Sequence, residues 1–143
     1  MEIKDKYLHI QIPCYLKQIR DVRKMMKDFC EELPFTEEEL INIELALNEG
    51  ISNAINHGSS NNKKMHVDIE FMTRGKFFII VIKDYGGKEF NPEYFERITL
   101  KKDWGRGGRG VYLIKTIMDE VSYLFSNGNF TALYMSKKMK LNG

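Results

Sequence analysis

The amino-acid sequence predicts an α+β two-layer sandwich, a mixed, mostly antiparallel sheet with helices on one face. Three patterns lead there. Short stretches with an apolar residue at every second position, such as Leu8, Ile10 and Ile12, mark strands with one buried face. Longer stretches with apolar residues three and four apart, such as Ile19, Val22, Met26 and Phe29, mark amphipathic helices. Residues 77–82 are apolar at all six positions, as a central strand covered on both faces, or nearly so, requires. Helices and a sheet with one apolar side each bury that side by packing in layers.

The elements follow in order. The first strand ends at Pro13. A helix from Leu16 then carries Ile19, Val22, Met26, Phe29 and Leu33 on one side, and Pro34 is expected to close it. Thr36 and Glu39 form a T-x-x-E capping box that opens a second helix, expected to run to His57 with Gly58 in a left-handed position beyond it. Met65, Val67, Ile69 and Phe71 alternate with polar residues in a strand, and Arg74-Gly75 turns the chain into the apolar strand that ends at Asp84. Residues 85–108 form a long polar connection holding five of the eleven glycines, and connections of that length are usually functional. A third helix is expected to place Val111, Ile114, Ile117, Met118 and Val121 on its apolar side. Residues 122–126 and 130–135 flank Asn127-Gly128, a strong hairpin signal.

With 143 residues, 43% hydrophobic and 29% charged, residues 1–143 are expected to form one ordinary globular domain, without repeat, low-complexity tract or linker. The longest apolar run is far below the ~20 residues of a membrane helix. The first residues, with Glu2, Lys4, Asp5 and Lys6, lack the apolar region of a secretory signal. Cys14 and Cys30 match no metal or disulfide pattern, so a reducing cytoplasm is the expected compartment. The net charge of +2 is too small for a general nucleic-acid or membrane binder. Its distribution says more. Residues 36–62 carry five acids and no Lys or Arg, whereas residues 101–109 carry four basic residues and one acid, and without those nine residues the total becomes −1.

Three places break local rules. The second helix already has a core stripe in Leu40, Ile43, Leu47, Ile51 and Ala54, yet Glu49, Asn53 and His57 make a separate polar stripe at steps of four. It also tolerates Gly50, worth roughly 1 kcal/mol against Ala, and several asparagines. A solvated outer face would show the same stripe. Gly105 to Gly110 reads G-x-G-x-x-G, but residues 101–104 before it are not strand-like and no Gly-Lys-Ser/Thr follows, so neither a dinucleotide fingerprint nor a Walker loop is indicated. What remains is a glycine-rich lead into a helix, where exposed N–H groups and the helix dipole hold phosphate, with Arg106 and Arg109 adding charge. Asp84, before Tyr85-Gly86-Gly87, either begins a turn or accepts a hydrogen bond from a ligand amine.

In order and spacing, Glu49-Gly-Ile-Ser-Asn53-Ala-Ile-Asn-His57, Asp84-Tyr-Gly86 and Gly108-Arg-Gly110 resemble the N box and two glycine boxes of the GHKL (histidine kinase-like) ATPase superfamily. The short length and the stretch Arg106-Gly-Gly-Arg-Gly-Val-Tyr-Leu-Ile-Lys are most similar to the bacterial anti-sigma-factor serine/threonine kinases. The resemblance implies the Bergerat fold, with Glu49 as general base and Asn53 as Mg²⁺ ligand. It implies that Asp84 accepts the adenine amino proton, supported by Thr131, and that Gly86 lets the backbone approach the base. Gly107, Gly108 and Gly110 would cradle phosphate and hinge an ATP lid, with His57, Arg106 and Arg109 near the phosphates. Two departures, Lys88 after Gly87 and Arg109 where leucine is usual, bear on the lid.

The implied protein uses ATP and Mg²⁺ to phosphorylate a Ser/Thr of a STAS-domain anti-anti-sigma protein. It would also hold a sigma factor or equivalent regulatory protein, control transcription by partner switching, and form a homodimer, with no direct nucleic-acid or membrane contact. The alternative is a nucleotide-binding interaction module without phosphotransfer. Glu49 favours the kinase, because a pure binder needs no base.

Overall fold

The computed structural model describes residues 4–58, 65–85, 108–126 and 130–140, with backbone alone for His57, Gly58, residues 108–111, Phe125 and Ser126. Five strands, β1 (Tyr7–Pro13), β2 (His66–Arg74), β3 (Phe77–Asp84), β4 (Glu120–Ser126) and β5 (Phe130–Lys138), form one sheet in the order β1-β2-β3-β5-β4. All four pairings are antiparallel, so among the described strands the sheet is not mixed. The β2–β3 hairpin turns at Gly75, whose φ of 55° is open to glycine without steric cost. β3 is the middle strand, as its unbroken apolar run predicts. Phe78, Ile80 and Ile82 are buried on its inner side, and Ile79 is buried even on the outer side.

Among the described residues three helices, α1 (Ile19–Phe29), α2 (Glu37–Asn53) and α3 (Gly108–Ile117), accompany the sheet. Val22, Met26 and Phe29 of α1 and Ile43, Ala46, Leu47, Gly50 and Ile51 of α2 are buried, and Ile114 of α3 joins the same core. The capping box forms: the Glu39 amide donates to Thr36 Oγ1 and the Thr36 amide to Glu39 Oε1, each at 3.1 Å.

Two boundaries differ from the sequence expectation. α1, entered through a 3-10 turn at Leu16–Gln18, stops at Phe29 rather than at Pro34. The Lys6 ammonium donates to the Phe29 carbonyl at 2.9 Å and lies 4.6 Å from the Phe29 ring centre, a cation at a helix C-terminus where the dipole favours it. Leu33 still reaches the core, but from the following turn, where its amide bonds the Cys30 carbonyl at 3.0 Å. Val121 belongs to β4, paired with Met135, and not to the third helix. Its spacing from Ile117 and Met118 fits a helix face, but a β-branched side chain opposite a buried Met fits a strand better.

The direction of α2 brings two chain segments to one end of the sandwich. Phe35, just before α2, packs on Phe78 near the start of β3, with ring centres 5.9 Å apart. Farther along, Gly50 lies against Ile82 near the end of β3. α2, with 17 residues and about 25 Å of length, therefore runs alongside β3 in the same direction. Both end together, about 20 Å from the Phe29, Phe71 and Phe78 ring cluster.

Candidate functional site

At that end Asp84 closes β3. Its side chain is 4% exposed, and its register partner on β5 is Thr131, 6% exposed. A carboxylate at a strand end among apolar neighbours is costly to bury without donors, so this position is built to be a hydrogen-bond acceptor. The sequence singled out both residues, and the sheet register sets them side by side.

Gly50 explains how α2 reaches this pair. A Cβ there would lie 2.6 Å from Ile82 Cδ1 and 3.0 Å from Leu133 Cδ2. Ile82 is two residues from Asp84 on β3, and Leu133 two residues from Thr131 on β5, so the helix touches down beside both. The glycine that weakens α2 locally is thus spent on a close helix–sheet approach. Glu49, next to it, and Asn53, one turn on, are both half-buried, and Glu49 forms no ion pair among the described residues. The acid on the opposite flank is occupied: Glu44 meets Lys27 Nζ at 3.4 Å and Arg23 Nε at 3.6 Å.

Asn53 Nδ2 is buried with no hydrogen-bond partner among the described residues, and so is Asn48 Oδ1. An orphaned buried amide costs about 1–3 kcal/mol until something pairs with it. Among the described residues no group of three or more His, Cys, Asp or Glu could hold a metal. Mg²⁺ does not require one: it keeps several waters and takes one or two protein donors together with substrate phosphates. The unpaired Asn53 Nδ2 is a donor and suits a phosphate oxygen, and the Oδ1 of the same amide is the atom chemically able to take the cation. Asn48 was legible only as a poor helix former, and nothing in its spacing marked its Oδ1 as buried.

Beyond Asn53 the regular helix ends. Residues Ala54–Gly58 form a π-helical turn, so Gly58 closes that turn instead of standing in a left-handed position beyond the helix. Ala54 and Ile55 are buried there, and the turn packs on β3. A wider turn breaks the four-residue repeat, so the backbone does not carry the Glu49–Asn53 stripe to His57 as an α-helix would. Gly108, Arg109 and Gly110 are the first three residues of α3, which packs against α2. A helix N-terminus presents unpaired N–H groups. Gly86, Arg106, Gly107 and Lys88, with the expected lid, lie outside the described residues.

The sequence reading missed a cluster on the other face of the sheet. Tyr85, the residue after Asp84, donates its phenol proton to Asp68 Oδ2 of β2. Asp68 Oδ1 also meets His9 Nε2 at 2.9 Å and accepts from Gln11 Nε2 at 3.2 Å, both from β1. Burial alone would raise the Asp68 carboxyl, but the hydrogen bonds from Tyr85, His9 and Gln11 outweigh it and hold the group below the usual carboxylate range. The same bond, with burial and the charges of Asp68 and Glu70, pushes the Tyr85 phenol up to about 12. The signal was the run of polar residues at alternate positions of β1 and β2.

A family model described as a histidine kinase-like ATPase domain matches residues 12–137. A serine-protein kinase RsbW from Oceanobacillus iheyensis is 24% identical, covering 92% of this chain and 85% of its own. An anti-sigma F factor from the same organism is 29% identical over 82% of each chain. Among solved structures, one of the RsbU and RsbW domains of a Mycobacterium tuberculosis protein superposes with a TM-score of 0.66 at 16% identity. That match covers 94% of this chain and 32% of the longer one. The Acinetobacter baumannii histidine kinase AdeS gives a TM-score of 0.50 at 16% identity, covering 95% of this chain and 70% of its own. These two likenesses concern the fold. Among the described residues no helix is long and apolar enough to cross a membrane.

Proposed function

The chain belongs to the histidine kinase-like ATPase domain family, and from that premise we propose that it is an ATP-dependent protein serine/threonine kinase acting as an anti-sigma regulatory factor. The observation that carries the reading is the meeting of α2 with the ends of β3 and β5, where Glu49 and Asn53 lie on the helix that touches down beside the buried Asp84–Thr131 pair. The names of the relatives, serine-protein kinase and anti-sigma F factor, support the same reading.

In this mechanism Asp84 accepts a hydrogen bond from the adenine amino group, and the Thr131 hydroxyl, adjacent in register, helps hold base and carboxylate in place. A buried acceptor selects adenine because a base that offers a second acceptor at that atom leaves two lone pairs facing each other. Asn53 Oδ1 would hold Mg²⁺, which would offset phosphate charge, while Asn53 Nδ2 is left to donate to a phosphate oxygen. Glu49 takes the proton of the attacking Ser or Thr hydroxyl as its oxygen bonds the γ-phosphorus and the bond to the β,γ-bridging oxygen breaks, leaving ADP. Gly108 to Gly110 offer backbone N–H groups at the start of α3 to phosphate.

The substrate in this reading is a STAS-type anti-anti-sigma protein, and the held partner is a sigma factor or equivalent regulator. ATP and ADP change partner affinity only to the extent that the partners contact the two forms differently, so partner switching is a linkage between nucleotide and partner sites. A homodimer and a cytoplasmic setting complete the proposal. The test is incubation of the purified protein with Mg-ATP and STAS-domain proteins, followed by mass spectrometry of the acceptor. A phosphorylated Ser or Thr is expected with the wild type and not with Glu49→Ala, while ATP binding survives that substitution. Binding without transfer in the wild type would leave a nucleotide-binding interaction module instead. Transfer undiminished in Glu49→Ala would overturn the assignment of the base.

A further inference from the structure

The β3 ladder stops at Asp84, which pairs with Val67 on one side and Thr131 on the other. Tyr85 is therefore the first residue outside both ladders, and no strand pairing holds its backbone among the described residues. Its side chain is held instead. The phenol is bonded to Asp68, and Asp68 is held from β1 by His9 and Gln11, so side chains from two other segments converge on one carboxylate of β2. The Lys83 ammonium lies 5.3 Å from the Tyr85 ring centre and 4.2 Å from that of Phe130. Phe130 precedes Thr131. Each member of the Asp84–Thr131 pair thus has a chain neighbour tied down on the outer face of the sheet, opposite the nucleotide side.

This geometry points to Tyr85 and Asp68 as positioning residues for base recognition: from the far face of the sheet, their hydrogen bond aims the Asp84 carboxylate at the adenine amino group and so sets selectivity among purine nucleotides. The inference rests on the adenine reading of Asp84 given above. Side chains alternate across a strand, so a tie on Tyr85 restrains the backbone of Asp84 without entering the site. A tie serving only fold stability would not distinguish one base from another.

The experiment measures the dissociation constants of ATP and of inosine triphosphate, which has a carbonyl oxygen where adenine has its amino group. The full chain is compared with Tyr85→Phe, Asp68→Asn and Asp84→Ala, with thermal melting alongside. The wild type is expected to prefer ATP. Tyr85→Phe and Asp68→Asn each narrow that preference by about three- to tenfold, the range that loss of one hydrogen bond allows, by weakening ATP and not inosine triphosphate. The double variant is no worse than the more affected single one, because both act on the same bond. Tyr85→Phe deletes a single oxygen from a side chain that is 38% exposed, so the variant retains its fold. An unchanged ratio in both variants, or an equal loss for both nucleotides, overturns the positioning role while leaving the adenine site intact. A wild type indifferent to the base, or an Asp84→Ala variant with wild-type preference, overturns the adenine reading itself and the positioning role with it.

Discussion

At position 50 a helix and two strands approach more closely than a side chain permits. The 2.6 Å and 3.0 Å separations are from side-chain ends, Ile82 Cδ1 and Leu133 Cδ2, but both residues are almost fully buried and have little room to turn. Gly50→Val is therefore expected to cost about 1–3 kcal/mol in chemical denaturation, as overpacking does. It should also weaken ATP binding beyond what the stability loss explains, because it pushes Glu49 and Asn53 away from Asp84; unchanged affinity in a folded variant would separate Gly50 from the site. Two ionisable groups give the pH behaviour. Tyr85 is raised from 10.0 to about 12, so its bond stabilises the fold fully below pH 10 and that contribution is lost as pH rises toward 12. Asp68 is lowered from 3.8, so its contribution is present above that pH and is lost as the pH falls through its folded value. Ultraviolet titration should show a phenol near pH 12 that Tyr85→Phe removes. The stability gap between wild type and Asp68→Asn should be open at neutral pH and close below about pH 3.8.

Among the elements, α2 has its two ends doing different things. Its N-terminus is secured by the Thr36–Glu39 box and three acids in the first turn, at the aromatic end of the sandwich. Thr36→Ala is expected to cost about 1 kcal/mol in denaturation midpoint with no change in ATP affinity. A matching loss of affinity would mean that the cap and the site are coupled along the helix. The box was readable from sequence because it depends on residues three apart, and the same holds for the Gly75 turn and the alternation in β1, β2 and β3. What depends on the third dimension was not readable. α1 ends at Phe29, and the donor that meets its last carbonyl, Lys6, is far off in sequence. Val121 fits two periods, and only its pairing with Met135 decides. Gly50 looked like a functional exception to helix preference, and its reason is the neighbouring strands. The π-helical turn leaves His57 off a repeat that sequence spacing alone extends to it. For the candidate site, the motifs in the sequence marked Glu49, Asn53 and Asp84 as candidates, and Thr131 was named only by the resemblance. The outer-face cluster escaped because Asp68 and Tyr85 are brought together by sheet register and not by any motif.

Across the whole molecule, the aromatic cluster of the core and the candidate site occupy opposite ends. Phe29, Phe35, Phe71 and Phe78 interlock at one end, and Asp84, Thr131 and the end of α2 meet at the other. The end of α2 at the site carries buried amide atoms without a hydrogen-bond partner among the described residues, and these cost stability until a ligand satisfies them. Nucleotide should therefore stabilise the protein by more than it rearranges it. A ligand bound only by the folded state adds RT ln(1 + [L]/Kd), about 2.7 kcal/mol at a concentration of 100 Kd, and that raises the melting temperature of a domain this size by roughly 5–10 °C. Mg-ATP should produce this shift in the wild type and in Glu49→Ala, whose carboxylate acts on the acceptor hydroxyl and not on nucleotide binding. Asp84→Ala should lose most of it. Asn53→Ala should lose the dependence on Mg²⁺ while keeping a smaller shift with ATP alone, since the base contact survives. Scanning calorimetry with and without chelator separates the cases. A full Mg-ATP shift in Asp84→Ala would mean that nucleotide binds elsewhere, because the reading allows no other buried acceptor at the end of β3 to replace that carboxylate.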